Sequence, residues 1–335
     1  MIRRSSILLK RYPNFKFVFR NFASQFGQPQ VKSYWKTKLF ACVFSGYLLY
    51  QTAKCYGFLP KKSIANDVIF LTGGGSGLGK LVSFLLGEKG GKIIIADING
   101  EAAASTAAEL QKKGFDALGL YCDVTNPESV KKAVVAGREK YGPITMLINN
   151  AGIVNGKALL DLELKEIRRT FDVNLYAPFV TTKEVLPDMI KAGRGHIVTI
   201  GSGSAYVGLD KLSDYISSKA GAVGFTESLR TELKQTHPFI RTTLICPYIV
   251  DTGLFQGAQG TKSYFRWFLP VLKQRNVAKR IMYSILQNEE QVISPAHINS
   301  IFLLKAFCTP AMFDYIFQIT GFSTLMNEFI GRKPQ

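Results

Sequence analysis

The sequence predicts an α/β fold: a doubly wound parallel sheet of about seven strands, preceded by an N-terminal membrane-anchor extension. Three observations carry the prediction. Short apolar runs of β character alternate with helical stretches from Asp67 onward, a glycine-rich turn joins the first run to the first helix, and the second run ends in a carboxylate. With 335 residues, 47% of them hydrophobic, the chain can bury one large core and leaves only short extensions around it.

The extension comes first. Residues 1–66 hold twelve Lys and Arg and no Asp or Glu, whereas thirty basic and twenty-four acidic residues follow, so most of the +18 formal charge sits at the N-terminus. No basic stripe interleaved with aromatics stands out in the remainder, which argues against a nucleic-acid partner. Residues 1–36 read as a basic leader or targeting segment. Their acid-free, Arg-rich composition is that of a mitochondrial presequence, with Arg20-Asn21-Phe22 before Ala23-Ser24 resembling a processing site, and equally that of a leader ahead of a membrane segment. Residues 37–60 read as a hydrophobic membrane anchor. The run "LFACVFSGYLLYQTA" (39–53) would rise about 22 Å as a helix, short of the ~30 Å hydrocarbon core. It spans only by continuing to Pro60 with Lys54 snorkelling; an interfacial helix or a short hairpin fits equally. Tyr34, Trp35, Tyr47, Tyr50 and Tyr56 would anchor it at the interface, and Lys61-Lys62 would mark its exit.

The next segment sets the cofactor. "DVIFLT" reads as a buried strand, "GGGSGLGKLVSFLLGEKG" as a glycine turn feeding a helix, and "KIIIAD" as a second strand ending at Asp97. That order is a Rossmann-like βαβ unit. Glycines at 73, 77 and 79 let main-chain N–H groups approach a pyrophosphate at the positive end of the helix dipole. Asp97 can accept hydrogen bonds from the adenosine ribose hydroxyls and would repel a 2′-phosphate, so NAD is expected rather than NADP. Further strands are predicted within 117–124, 144–152, 195–202 and 241–250, with Asn126 as an N-cap before Pro127. Ligands of such a sheet bind at the carboxyl ends of its strands. Cysteines at 42, 55, 122, 246 and 308 and histidines at 196, 237 and 297 lack the spacing of a disulfide framework or a zinc site, and no metal is expected.

In "SDYISSKAG" a tyrosine and a lysine stand four apart, one turn along a helix face, where an ammonium can support a phenolate. Here the sequence resembles the short-chain dehydrogenase/reductase family over about residues 67–275: "TGGGSGLG" (72–79) is similar to its TGxxxGxG turn, "CDV" (122–124) to its adenine-pocket segment, "NNAG" (149–152) to its fourth-strand signature and "YISSK" (215–219) to its YxxxK motif. The resemblance implies a catalytic set of Asn174, Ser202, Tyr215 and Lys219. Tyr215 would take the proton of a substrate hydroxyl, Ser202 would hold the same oxygen, Lys219 would also bind the nicotinamide ribose, and Asn174 would support a water-linked proton path. It implies cofactor contacts from Gly73, Ser76, Gly77, Leu78, Gly79, Asp97, Asp123, Asn150, Ala151, Gly152, Val250 and Thr252, together with Tyr215 and Lys219. The lysine charge, with oxidised nicotinamide nearby, is expected to depress the Tyr215 pKa. One departure stands out: Tyr248 in "CPYIVDT" replaces the glycine usual after the sixth strand, where permissive backbone angles would be lost.

The catalytic domain is expected to span 61–275 and an apolar helical extension 276–335. Phe255, Tyr264, Phe265, Trp267, Phe268 and Leu269 would make an apolar lid or membrane-facing lip, or else pack as core. The ending, with Asn327 in place of an acid, is similar to the tail of the membrane-bound branch that holds retinol dehydrogenases and lipid-droplet 17β-hydroxysteroid dehydrogenases. The resemblance implies a lipophilic small-molecule substrate (retinoid, steroid or long-chain lipid), a membrane or lipid-droplet surface as partner, a homodimer, and residence at the endoplasmic reticulum or lipid droplet, with the mitochondrion as the alternative. Carbonyl reduction in the reverse direction and a non-catalytic membrane scaffold remain the competing functions.

Overall fold

A computed structural model describes residues 35, 38–39, 41–47, 49–50, 60–255, 257, 270–321, 326 and 329–330. The basic leader apart from Trp35, Lys54, the aromatic stretch 264–269 and Asn327 lie outside these. The chain divides into two units, Met1–Leu59 and Pro60–Gln335. In the first, the described residues are helical and exposed, and among the described residues of the chain no helix is long and apolar enough to cross a membrane.

The second unit is one seven-stranded sheet in the order β3-β2-β1-β4-β5-β6-β7, every pairing parallel. Its strands are β1 (Val68–Thr72), β2 (Lys92–Asp97), β3 (Ala117–Tyr121), β4 (Met146–Asn149), β5 (Gly195–Ile200), β6 (Ile240–Pro247) and β7 (Gln291–Ser294). The helices are α1 (Gly77–Gly87), α2 (Gly100–Lys112), α3 (Pro127–Tyr141), α4 (Leu164–Phe171), α5 (Ala177–Lys191), α6 (Ser213–Thr236), α7 (Gln274–Leu286), α8 (Asn299–Phe307) and α9 (Pro310–Thr320). A parallel sheet needs cover on both faces, and alternation along β1 supplies it: Ile69 and Leu71 join a core with Val82, Leu86 and Ile281, while Val68 and Phe70 join one with Val134, Val185 and Leu229. Asn126 caps α3 as predicted, its side chain accepting from the Glu128 and Ser129 amides at 3.0 and 3.3 Å.

The boundary at residue 275 needs correction. β7 pairs with β6 through Leu244↔Gln291 to Pro247↔Ser294, so the sheet runs past it; among the described residues a 3₁₀ turn (Ala296–Ile298), α8 and α9 follow the seventh strand. At the opposite edge of β5, Lys62 fastens the start of the unit. Its Nζ donates to His196 Nδ1 at 2.8 Å and its backbone amide to the Leu286 carbonyl at 2.7 Å. Burial holds the His196 imidazole neutral, far below its usual pKa, and brings Lys62 down to about 8.

β1 pairs with β2 on one side and β4 on the other. Chain direction around the sheet reverses there, and the carboxyl ends of these strands open a crevice at that switch point.

Candidate active site

The crevice holds about 530 Å³, within the range of small-ligand sites. Its floor is the turn from β1 to α1. Gly73 has φ +66, and a Cβ on it would stand 2.9 Å from the Ala151 Cα; a Cβ on Gly79 would collide with the Gly73 carbonyl. Asn150 holds this turn to β4, donating from Nδ2 to the carbonyls of Thr72 (2.9 Å) and Gly73 (3.0 Å). The Thr72 hydroxyl in turn accepts from the amides of Asn150 and Ala151 at 3.0 and 3.1 Å. Ser76 caps α1 in extended conformation, and the first turn of α1 carries no acid. An N-terminus free of acidic side chains, in a turn so closely packed that Gly73 and Gly79 leave no room for a Cβ, fits a pyrophosphate.

At the end of β2, Asp97 accepts from the Gly75 amide at 2.9 Å through Oδ2 and from the Asn99 amide at 3.0 Å through Oδ1. Asp123 turns inward on its own loop, with Oδ1 taking both the amide and the hydroxyl of Thr125. Gly73, Ser76, Gly77, Leu78, Gly79, Asp97, Asp123, Asn150, Ala151, Gly152, Val250 and Thr252 all line the one crevice, as do Ser202, Tyr215 and Lys219. The residues suit NAD: a pyrophosphate cradle, an acid for the ribose, and no described lysine or arginine beside Asp97 in that turn to accept a 2′-phosphate.

Asn174 does not line the crevice. It is buried in a π-helical turn, Asp172–Tyr176, between α4 and α5, a departure from α-helical hydrogen bonding that recurs at functional sites. Its Oδ1 accepts from the Ile153 amide at 2.9 Å, and its Nδ2 donates to the Ile153 carbonyl at 2.9 Å and to Ser218 Oγ at 3.0 Å. Ser218 passes the link on to the Tyr215 carbonyl at 2.7 Å. Gly152 stands between the centres: a Cβ there would lie 3.3 Å from Asn174 Oδ1 and 3.5 Å from Lys219 Nζ.

Ser202 follows β5 and opens a 3₁₀ turn, its Oγ 2.8 Å from Ser204 Oγ. Tyr215, in the first turn of α6, is 3% exposed and meets the Phe255 ring edge-on at 5.7 Å. Burial pushes its phenol up to about 12, with a hydrogen bond from Ser202 pulling the other way. The expected depression by lysine is absent. Lys219 Nζ donates to the Ile200 carbonyl at 2.8 Å and is itself brought down to about 8 by burial. Tyr248 needs no permissive backbone, since it is not among the described non-glycine residues with positive φ, and its amide donates to the Ser294 carbonyl at 2.7 Å.

Sequence reasoning missed four contributors: the Thr72 hydroxyl, the Ile200 carbonyl, Ser218 and Arg169, whose exposed side chain also lines the crevice. Thr72 and Ser218 lay inside quoted motifs; a backbone carbonyl has no sequence signal, and Arg169 is one of two adjacent arginines. Among the described residues, no group of His, Cys, Asp and Glu could hold a metal ion.

A parallel sheet with this cradle and a Ser-Tyr-Lys cluster beside it defines an NAD-dependent oxidoreductase acting on CH–OH groups. The short chain dehydrogenase family model matches residues 67–262, and the chain belongs to that family. It is 33% identical over 297 residues to short-chain dehydrogenase/reductase family 16C member 6 of Bos taurus, covering 87% of this chain and 93% of that one. It is 33% identical to epidermal retinol dehydrogenase 2 of Homo sapiens (89% and 97% covered) and to human retinol dehydrogenase 10 (82% and 89% covered). A crystal structure of a short-chain dehydrogenase/reductase from Burkholderia phymatum in complex with NAD superposes with a TM-score of 0.66 at 25% identity, covering 73% of this chain and 94% of that one.

Proposed function

We propose that this enzyme interconverts a lipophilic alcohol and its carbonyl, with Tyr215 as the proton-transferring group. The observation that carries the reading is the position of Ser202: its side chain borders both the cofactor crevice and an apolar cavity under α8 and α9. Bound NAD would supply the hydride acceptor and a positive charge. Ser202 Oγ holds the substrate oxygen against Tyr215 Oη, which takes its proton on oxidation. Lys219 adds positive charge, with its ammonium 6.0 Å from the centre of the Tyr215 ring. Asn174 fixes Ile153 and, through Ser218, the first turn of α6. The reverse reading, carbonyl reduction, draws support from the raised Tyr215 pKa, because a phenol near 12 is a protonated donor at neutral pH.

The partner surface in this reading is a membrane. α8 buries none of its side chains, and Leu303, Phe307 (82% exposed), Met312 and Tyr315 leave apolar bodies in solvent on α8 and α9. Together with the basic 1–36 leader and the 37–60 anchor, this favours the endoplasmic reticulum or lipid droplet over the mitochondrion. A homodimer through α5 and α6 is supported by exposed Tyr176 and Phe179, the latter packed on Phe225 at 4.2 Å. The test is NAD-dependent oxidation of retinol, oestradiol and a long-chain alcohol by detergent-solubilised protein. NADH formation that Tyr215→Phe abolishes is expected; NAD binding without turnover in either direction would leave the scaffold reading.

A further inference from the structure

Past α9 the chain comes back to the active site. Met326 is 2% exposed and belongs to one apolar cluster with Leu212, Tyr215 and Ile249, against which Phe329 packs together with Val154, Tyr248 and Phe255. The Phe329 amide donates to the Met326 carbonyl at 3.3 Å and links the two. Of this cluster, Tyr215, Tyr248 and Phe255 line the cofactor crevice, whereas Met326 and Phe329 do not. The pair therefore acts on the chemistry only through its neighbours.

Phe329 also rests on the loop that follows β4. Gly156 in that loop has φ +66, and a Cβ on it would collide with the Phe329 ring, so only a bare glycine lets the ring close on the main chain. A second hold ties the same loop to α6. Asn155 Nδ2 donates to Asp214 Oδ2 at 2.7 Å, with the Thr170 hydroxyl 3.0 Å from the same oxygen. Asp214 is 4% exposed and immediately precedes Tyr215. A carboxylate so buried keeps its donors, because losing them would leave a charge unsatisfied away from water. Both holds on the loop thus lead to the first turn of α6.

We infer that Met326 and Phe329 are positioning residues for Tyr215: they clamp the 153–156 loop against the first turn of α6 and so set where the phenol stands. The inference rests on the dehydrogenase reading above and adds the residues that aim its tyrosine. NADH affinity should change little when the clamp is loosened, since the cradle and the ribose acid stand on β1, α1 and β2.

The test uses the full chain in detergent micelles with NAD and whichever of retinol, oestradiol and hexadecanol wild type oxidises fastest. Wild type is compared with Met326→Ala, Met326→Leu, Phe329→Ala, Gly156→Ala and the Gly156→Ala/Phe329→Ala double variant. Met326→Ala and Phe329→Ala each lower kcat by about tenfold or more, with NADH affinity held within about twofold, because a misplaced reacting group costs chemistry rather than cofactor binding. Met326→Leu refills the space and restores kcat. Gly156→Ala, which pushes the ring away, matches Phe329→Ala, and the double variant is scarcely slower than either, since both remove one contact. An unchanged kcat in the two alanine variants, a parallel loss of NADH affinity, or full additivity in the double variant overturns the inference. If wild type neither oxidises nor reduces any of these compounds, the dehydrogenase reading fails separately. The clamp is then read by hydrogen exchange at the Ile216 amide, which donates to the Leu212 carbonyl at 2.8 Å beside Tyr215. Faster exchange in NADH-bound Phe329→Ala than in wild type supports the inference, and equal exchange overturns it.

Discussion

Lys219 Nζ stands 6.0 Å from the centre of the Tyr215 ring, and the two side chains are buried together. Burial moves them in opposite directions, the phenol up to about 12 and the ammonium down to about 8. Between pH 8 and the ordinary lysine value of 10.5, the unfolded chain binds a proton that folded Lys219 has released, so its contribution to stability rises with pH across that window. Lys62 contributes in the same sense. Burial raises the Cys122 thiol to about 12 and the Cys246 thiol to about 11, which opposes the lysines above pH 9, so the denaturation free energy should climb only between about pH 8 and 9, by up to about 1 kcal/mol per lysine. Lys219→Met and Lys62→Met should each remove part of the rise and the double variant all of it. Above about pH 9 the raised Cys122 and Cys246 thiols offset the lysines, and above pH 10 the raised Tyr215 phenol turns the trend downward.

Cofactor choice turns on Asp97. Its carboxylate also accepts from the Gly75 amide, so Asp97→Ala should weaken NADH binding by about tenfold, the loss of roughly one charge-assisted hydrogen bond. Asp97→Ser combined with Ile98→Arg should move the preference towards NADPH. Fluorescence titration with the two reduced cofactors reads both outcomes.

Two glycines of the same turn should behave differently. Gly79→Ala drives a methyl group into the Gly73 carbonyl and towards Asn150 Nδ2, so NADH binding should be lost. Gly77→Ala meets open space and pays only for its φ of +55, about 1 kcal/mol, leaving binding measurable. Equal effects in a binding titration would contradict the cradle geometry.

Asn174→Ala leaves the half-buried Ile153 amide and carbonyl without their side-chain partner. A stability loss of about 2 kcal/mol is expected, with a fall in kcat larger than that of Ser218→Ala, since Ser218 keeps only the relay to the Tyr215 carbonyl. Chemical denaturation and steady-state kinetics on the same preparations separate the two effects.

The sheet was legible because period and punctuation agree. "VIFLT" and "KIIIAD" are apolar on both faces, as buried parallel strands must be, and Gly73 and Asp97 mark where they end. Strands predicted at 144–152 and 195–202 run on past the observed ends at Asn149 and Ile200, where the chain leaves the sheet and the residues that follow line the crevice. β7 escaped notice: four residues, "QVIS", at a sheet edge carry too little alternation to read. The spacing of Tyr215 and Lys219 identified the pair but not the direction of the tyrosine pKa, which depends on burial of the phenol in the folded chain. Nor does any sequence pattern announce the π-helical turn that buries Asn174.

The bond from Lys62 to His196 determines where the N-terminal segment is spliced onto the enzyme. His196 is near the start of β5 and Ile200 at its end, so a strand rise of about 3.3 Å per residue puts Lys62 roughly 13 Å below the level of the lysine's carbonyl contact. Lys62 therefore lies at the rim of the sheet opposite the chemistry. A fluorophore or affinity handle introduced at exposed Lys61 would sit beside that bond while the crevice stays open to its ligands.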